Sequence, residues 1–151
     1  MSEGSEVKTV AVCATPFLPD TAPWLHRQIR GLRRYRPVVL TQESLNSAQF
    51  PVPVLYSAEE LSLPARWLNR LVRGVLRELP LYSGIMAREG ADLIHAHFGH
   101  HGCRCLRARR ASGLPMITSF YGADATQYAR FPRWQRRYRR LFREGEWEGS
   151  A

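Results

Sequence analysis

The 151 residues suit one domain: 44% are apolar, enough for a real core, and 23% are charged, which argues against global disorder. The net charge of +9 comes almost wholly from arginine, Lys8 being the single lysine, and it draws the chain toward anionic partners. Three cysteines, a polar start without a basic-then-apolar pattern, and no run of about eighteen apolar residues argue against export and a membrane span, and for a reducing cytoplasm.

Residues 1–6 are expected to be a disordered N-terminus, residues 7–146 one domain, and residues 147–151 a tail. Val7 to Ala14 is mostly Val, Ala and Cys, the composition of a strand buried on both faces. Pro16, Pro19, Asp20 and Thr21 end it in a loop. Pro23 suits the first turn of a helix whose apolar face carries Leu25, Ile29 and Leu32. Pro37 to Thr41 predicts a second strand, and Val52 to Tyr56 a third. Leu63 to Leu79 predicts a helix with Trp67, Leu68, Leu71, Val75 and Leu76 on one side, interrupted at Pro80. A further helix runs to about Arg88 and stops at Gly90. Leu93 to His97 is a strand, Gly102 to Ala111 a helix, and Ile117 to Phe120 a strand. A last helix starts near Pro132, with Trp134, Tyr138, Leu141 and Phe142 on one face. Strands alternate with helices throughout, which predicts βαβ units and a mostly parallel sheet in an α/β, three-layer, Rossmann-like fold.

The chemistry concentrates where two strands end. Asp92-Leu93-Ile94-His95-Ala96-His97-Phe98-Gly99 and Met116-Ile117-Thr118-Ser119-Phe120-Tyr121-Gly122-Ala123-Asp124 both pass from apolar residues into titratable groups and glycine. In an open parallel sheet, ligands bind at the carboxyl ends of the strands. Leu93, His95 and His97 share one strand face, and His97 is the outermost. It is a candidate to bind a sugar hydroxyl or phosphate or to act as a general base; both imidazoles also fit a structural, hydrogen-bonded role. Gly122 allows a tight turn or close approach of a ligand. Asp124 suits either sugar hydroxyls or the cap of a short helix beginning at Ala125.

His95, His97, His100, His101, Cys103 and Cys105 offer metal-ligand chemistry, but their spacing matches no familiar zinc pattern. No metal and no resident cofactor is expected. The loop after the first strand lacks the Gly-x-Gly-x-x-Gly cradle, although Asp20 and Thr21 remain candidate substrate contacts. Arg133, Arg136, Arg137 and Arg140 give the last helix a basic side for an anionic membrane surface or, as the lesser expectation, nucleic acid; a solvated face explains the same pattern.

These pieces, with Arg27-Gln28-Ile29-Arg30-Gly31-Leu32 and Tyr138-Arg139-Arg140-Leu141-Phe142-Arg143-Glu144-Gly145, resemble the N-terminal domain of family 4 retaining glycosyltransferases. The likeness is to the exopolysaccharide branch of the colanic-acid and amylovoran type, and it runs from about Val7 to Glu146. Such enzymes pair two Rossmann-like domains. The N-terminal one holds the acceptor, the C-terminal one the nucleotide-sugar donor, and the cleft between them is the active site. The resemblance implies that His97 lies at the transfer site, with Asp20, Thr21, Gly99, Tyr121, Gly122 and Asp124 lining the acceptor side. It also implies work on a polysaccharide or lipid-linked glycan of the cell envelope, in the cytoplasm or on the inner face of the plasma membrane. Relatives continue past Glu146 into a donor domain, so this chain is expected to be the first half of such an enzyme and inactive alone, its donor half a further domain or a separate chain. The competing expectations are a non-enzymatic basic module and, behind it, a metal site among the His and Cys residues.

Overall fold

The computed structural model describes residues 7–17, 23–76 and 81–144. The expectations for residues 1–6, for Asp20 and Thr21, for the helix end around Pro80 and for the 147–151 tail fall outside them. Five parallel strands form one sheet: β1 (Lys8–Cys13), β2 (Tyr35–Thr41), β3 (Leu55–Ser57), β4 (Leu93–His97) and β5 (Met116–Ser119). Their order is β3-β2-β1-β4-β5, the Rossmann arrangement, so the Rossmann-like α/β expectation holds. Because the chain leaves β1 for β2 on one side and returns to β4 on the other, the strand order reverses between β1 and β4.

Alternation along β1 builds the two halves of the core. Val10 and Val12, with Ala14 just beyond, face α1 (Pro23–Arg30) and pack on Leu25, Ile29 and Val39. Ala11 and Cys13 face the other layer, where Tyr82 and Met86 of α3 (Leu81–Arg88), Cys105 and Leu106 of α4 (Gly99–Ser112) and Leu141 of α6 (Pro132–Glu144) close the core. The remaining α-helices of the described residues are α2 (Leu63–Leu76) and the short α5 (Gly122–Thr126). At the lower end of the sheet Asp92 Oδ2 accepts the Thr9 N–H at 2.7 Å, and Thr9 returns its carbonyl to the Asp92 N–H.

Several boundaries and one orientation differ from the sequence expectation; β5, for one, runs a residue earlier than Ile117–Phe120. β2 begins at Tyr35, because Lys8 and Thr9 of the neighbouring strand extend the ladder past Pro37. β3 is confined to Leu55–Ser57; Val52 to Val54 is loop, with Val52 packed on the α1 side and Val54 on the other. α4 starts at Gly99 rather than Gly102. The apolar side chains expected to share one side of α2 do so, but that side turns outward: Trp67, Leu68, Leu71 and Val75 are exposed while Asn69 is buried. Gly90 ends a helix as expected, and Gly113 does the same. Gly90 and Gly113 take positive φ, +62° and +69°, after α3 and α4.

Candidate functional site

β4 and β5 run side by side in the register His95↔Ile117 and His97↔Ser119, so both strands finish at one rim. His97 lies on the α1 face of β4, next to the point where the strand order reverses. It is 1% exposed. Its Nδ1 lies 2.9 Å from the Tyr121 hydroxyl. The two rings lie nearly parallel, 7° apart in plane at 6.0 Å between centroids. Trp24 of α1 covers the pair from the side, 4.6 Å from Tyr121 and 6.4 Å from His97. Burial, and then the adjoining His95, push the His97 imidazole down to about 3. A neutral ring is therefore present at neutral pH, with a hydroxyl fixed on Nδ1. Such an imidazole donates at one ring nitrogen and accepts at the other.

His95 lies one layer deeper. Its Nε2 pairs with the Ser119 hydroxyl at 2.8 Å, and its ring stands 4.1 Å from His97. The two strand ends are thus joined twice, His95 to Ser119 and His97 to Tyr121.

A third tie comes from Asp124. Oδ2 accepts the Gly99 N–H at 3.1 Å, and Oδ1 pairs with His100 Nδ1 at 3.0 Å. Asp124 is 1% exposed and lies within α5, not ahead of it. It caps a helix, as one sequence reading held, but the helix is α4 and not one beginning at Ala125. The neighbouring turn is tight. Phe98 adopts φ +73°, rare for a residue with a side chain and a mark of strain at a strand end. A Cβ on Gly99 would meet the Phe120 ring at 2.2 Å, so only glycine lets α4 start against β5. Gly122 is different. It has no positive φ, and an added Cβ would meet nothing within 4 Å. Gly122 does sit in a tight turn, closed by the Asp124 N–H donating to the Tyr121 carbonyl at 2.8 Å, but the turn does not require glycine's conformational freedom; what the position offers is open space above the backbone.

A cavity of about 360 Å³ opens further along the same rim, beyond the ends of β2 and β3. Thr41, Gln42, Tyr56, Ser57, Tyr82 and Arg88 line it. Gln42 is held by the Asn69 amide at 2.7 Å. The Tyr82 hydroxyl is buried close to Gln42 and Thr15 yet makes no hydrogen bond among the described residues. Burial raises its pKa well above that of a free phenol. Sequence reading missed this pocket and Trp24 alike, because their residues come from segments far apart in the chain.

Among the described residues no three His, Cys, Asp or Glu side chains converge. Cys105 is sealed in the core on the opposite side of the sheet from His95 and His97. His101 is buried too, with neither ring nitrogen hydrogen-bonded. No described helix is long and apolar enough to cross a membrane.

A family model, Glycosyltransferase Family 4, matches residues 13–148. In solved structures the fold is similar to the 2.2 Å crystal structure of a putative UDP-N-acetylglucosamine 2-epimerase from Listeria monocytogenes, with a TM-score of 0.56 at 12% identity. That likeness concerns the fold. It covers 93% of this chain and 37% of the other, so the chain spans well under half the length of the protein it matches. No curated protein matches it in sequence.

Proposed function

The chain belongs to Glycosyltransferase Family 4, and from that premise we propose that it is the acceptor-side domain of a retaining glycosyltransferase. The reading rests on one observation: His97 and Tyr121 meet at 2.9 Å on the carboxyl rim of the sheet, beside the reversal of strand order. In this reading a nucleotide-sugar donor is held by a second Rossmann-like domain. The acceptor is a polysaccharide or lipid-linked glycan of the exopolysaccharide type, and its sugars lie along the rim from His97 and Tyr121 toward the cavity at Gln42 and Tyr82. Neutral His97 orients an acceptor hydroxyl at the point of transfer. Gly122 gives a sugar ring room to approach the backbone. Asp124 and Gly99 act at one remove, by fixing the start of α4. The work takes place on the cytoplasmic face of the plasma membrane, with the basic side of α6 turned toward anionic lipid.

Two measurements test the reading. The purified chain, given radiolabelled nucleotide sugar and a lipid-linked acceptor, forms no product alone; robust turnover by this polypeptide refutes the division of labour. Glycan acceptor added to the labelled chain shifts the backbone amides of His97, Tyr121 and Gly122. Unmoved amides at saturating glycan sink the site.

A further inference from the structure

α2 is built inside out for a helix on a globular domain. Its buried position is the polar Asn69. Leu63, Trp67, Leu68, Leu71 and Val75 are each between 62% and 72% exposed and share the outward side. Isolated exposed apolar residues are ordinary; five on one helix face form a patch that needs an occupant. Along one edge of that patch stand Arg66, Arg70 and Arg73, and Arg70 stacks over the Trp67 ring at 5.3 Å.

Beside the arginine edge lies a groove of about 520 Å³ between α2, α4 and α6. Arg70, Arg73, Arg104, Arg133 and Arg137 line it, and no carboxylate does. Glu59 adjoins Arg66, Arg70 and Arg73 in a smaller neighbouring cavity, where it accepts the Ser44 N–H. Arg137 rests on the Trp134 ring at 4.9 Å, which holds its guanidinium in the groove wall. Burial, then the charges of Arg73 and Arg137, lower the Arg104 pKa, so the cluster carries repulsion that an anion would relieve.

We infer that α2 is a membrane-insertion helix: its Leu63–Trp67–Leu71–Val75 side enters the acyl boundary of an anionic phospholipid bilayer while the adjoining groove seats lipid phosphates. Charge selects this occupant. An interfacial helix combines one apolar side carrying Trp and Leu with flanking arginines, and groups of guanidinium bind phosphodiesters. Nucleic acid would satisfy the groove but offers nothing to five exposed apolar side chains. The inference rests on the preceding reading only in choosing the membrane as the anionic partner. It moves the contact from the outer side of α6 to α2 and the groove, where only Arg133 and Arg137 of the six α6 arginines take part; Arg140 is ion-paired with Glu144 at 2.7 Å.

The test is flotation of the full chain with vesicles of equal parts phosphatidylglycerol and phosphatidylcholine, against pure phosphatidylcholine, without donor or acceptor. The chain floats with the anionic vesicles, and brominated lipid quenches tryptophan fluorescence in a manner lost in Trp67→Phe. The pairs Trp67→Ser with Leu71→Ser, and Arg73→Glu with Arg137→Glu, each lower partitioning on the order of tenfold or more while circular dichroism stays unchanged. The apolar pair lies wholly outward, so folding does not mask its effect. Absence of flotation, equal flotation on neutral lipid, or full binding by the apolar pair overturns the inference. So does a wild-type dimer, seen by light scattering, that the apolar pair converts to monomer without any lipid binding. Failure here leaves the acceptor site standing, since sugar transfer and amide shifts are read without vesicles.

Discussion

The Asp124 carboxylate accepts the Gly99 N–H at 3.1 Å and holds His100 through its other oxygen, so a residue of the β5 rim supplies the cap of the helix that follows β4. Helix starts leave backbone donors without intrahelical partners, and α4 has no capping side chain of its own at Phe98. Asp124→Ala leaves a buried N–H orphaned and is expected to cost about 2 kcal/mol. Asp124→Asn keeps an acceptor for Gly99 and costs roughly half of that. Urea denaturation measures both. Equal stability of wild type and Asp124→Ala would remove the capping role.

The two glycines of the site should part company. Gly99→Ala drives a methyl into Phe120, and the Cβ-to-ring distance of 2.2 Å leaves no room unless that ring or the backbone shifts. A loss on the order of 1–3 kcal/mol is expected, as for overpacked cores. Gly122→Ala points into open space and should change stability by less than about 0.5 kcal/mol. If a sugar approaches the backbone there, Gly122→Ala weakens glycan binding at unchanged stability. Thermal melts and a glycan titration of both variants separate these effects.

Much of this rim is legible in the sequence, and what is not has identifiable causes. Apolar residues running into His97 and Tyr121 mark the strand ends, because a parallel strand buried on both faces turns polar only where it leaves the sheet. The start of α4 is illegible: its cap arrives from 25 residues downstream, and local reading sees only two glycines. The direction of α2 is illegible for another reason. Periodicity tells which residues share a side, not whether that side meets core or surroundings, and the burial of Asn69 depends on Gln42 across the fold. The cavity at Tyr82 draws on β2, β3 and α3, which no local pattern unites.

Tyr121→Phe tests the His97 pair. Losing the hydroxyl takes the partner from Nδ1 of a nearly buried ring. The expected cost is about 1 kcal/mol, with a change in the nitrogen chemical shifts of His97 as its tautomer balance moves. Trp24 still packs on the phenyl ring, so the fold persists. Unchanged nitrogen shifts would show that the hydroxyl does not set the state of His97.

Acid should unfold the domain early, and the sign follows from the histidines. In the unfolded chain an imidazole takes up its proton near 6.5, whereas His97 and His101 in the fold do not until about 3. For His101 burial is the main cause, followed by His100, Arg104 and His97. Between those values the unfolded state binds more protons, so stability is complete above about 6.5 and falls as pH drops toward 3. The slope is at most about 1.4 kcal/mol per pH unit for each histidine. Glu89, held low by Tyr56 and Arg36, and Glu144, held low by Arg140, add acid sensitivity at lower pH. His101→Leu isolates the imidazole contribution. It removes two buried nitrogens that have no hydrogen bond, so stability at pH 7 should hold or rise, while the loss between pH 6.5 and 4.5 should shrink but not vanish, since His97 and His95 are also held low by burial. Urea titrations across that range give the comparison. Parallel pH profiles for wild type and His101→Leu would mean that His101 takes up its proton as readily in the fold as outside it, and the acid sensitivity would then belong to the other buried histidines and the carboxylates.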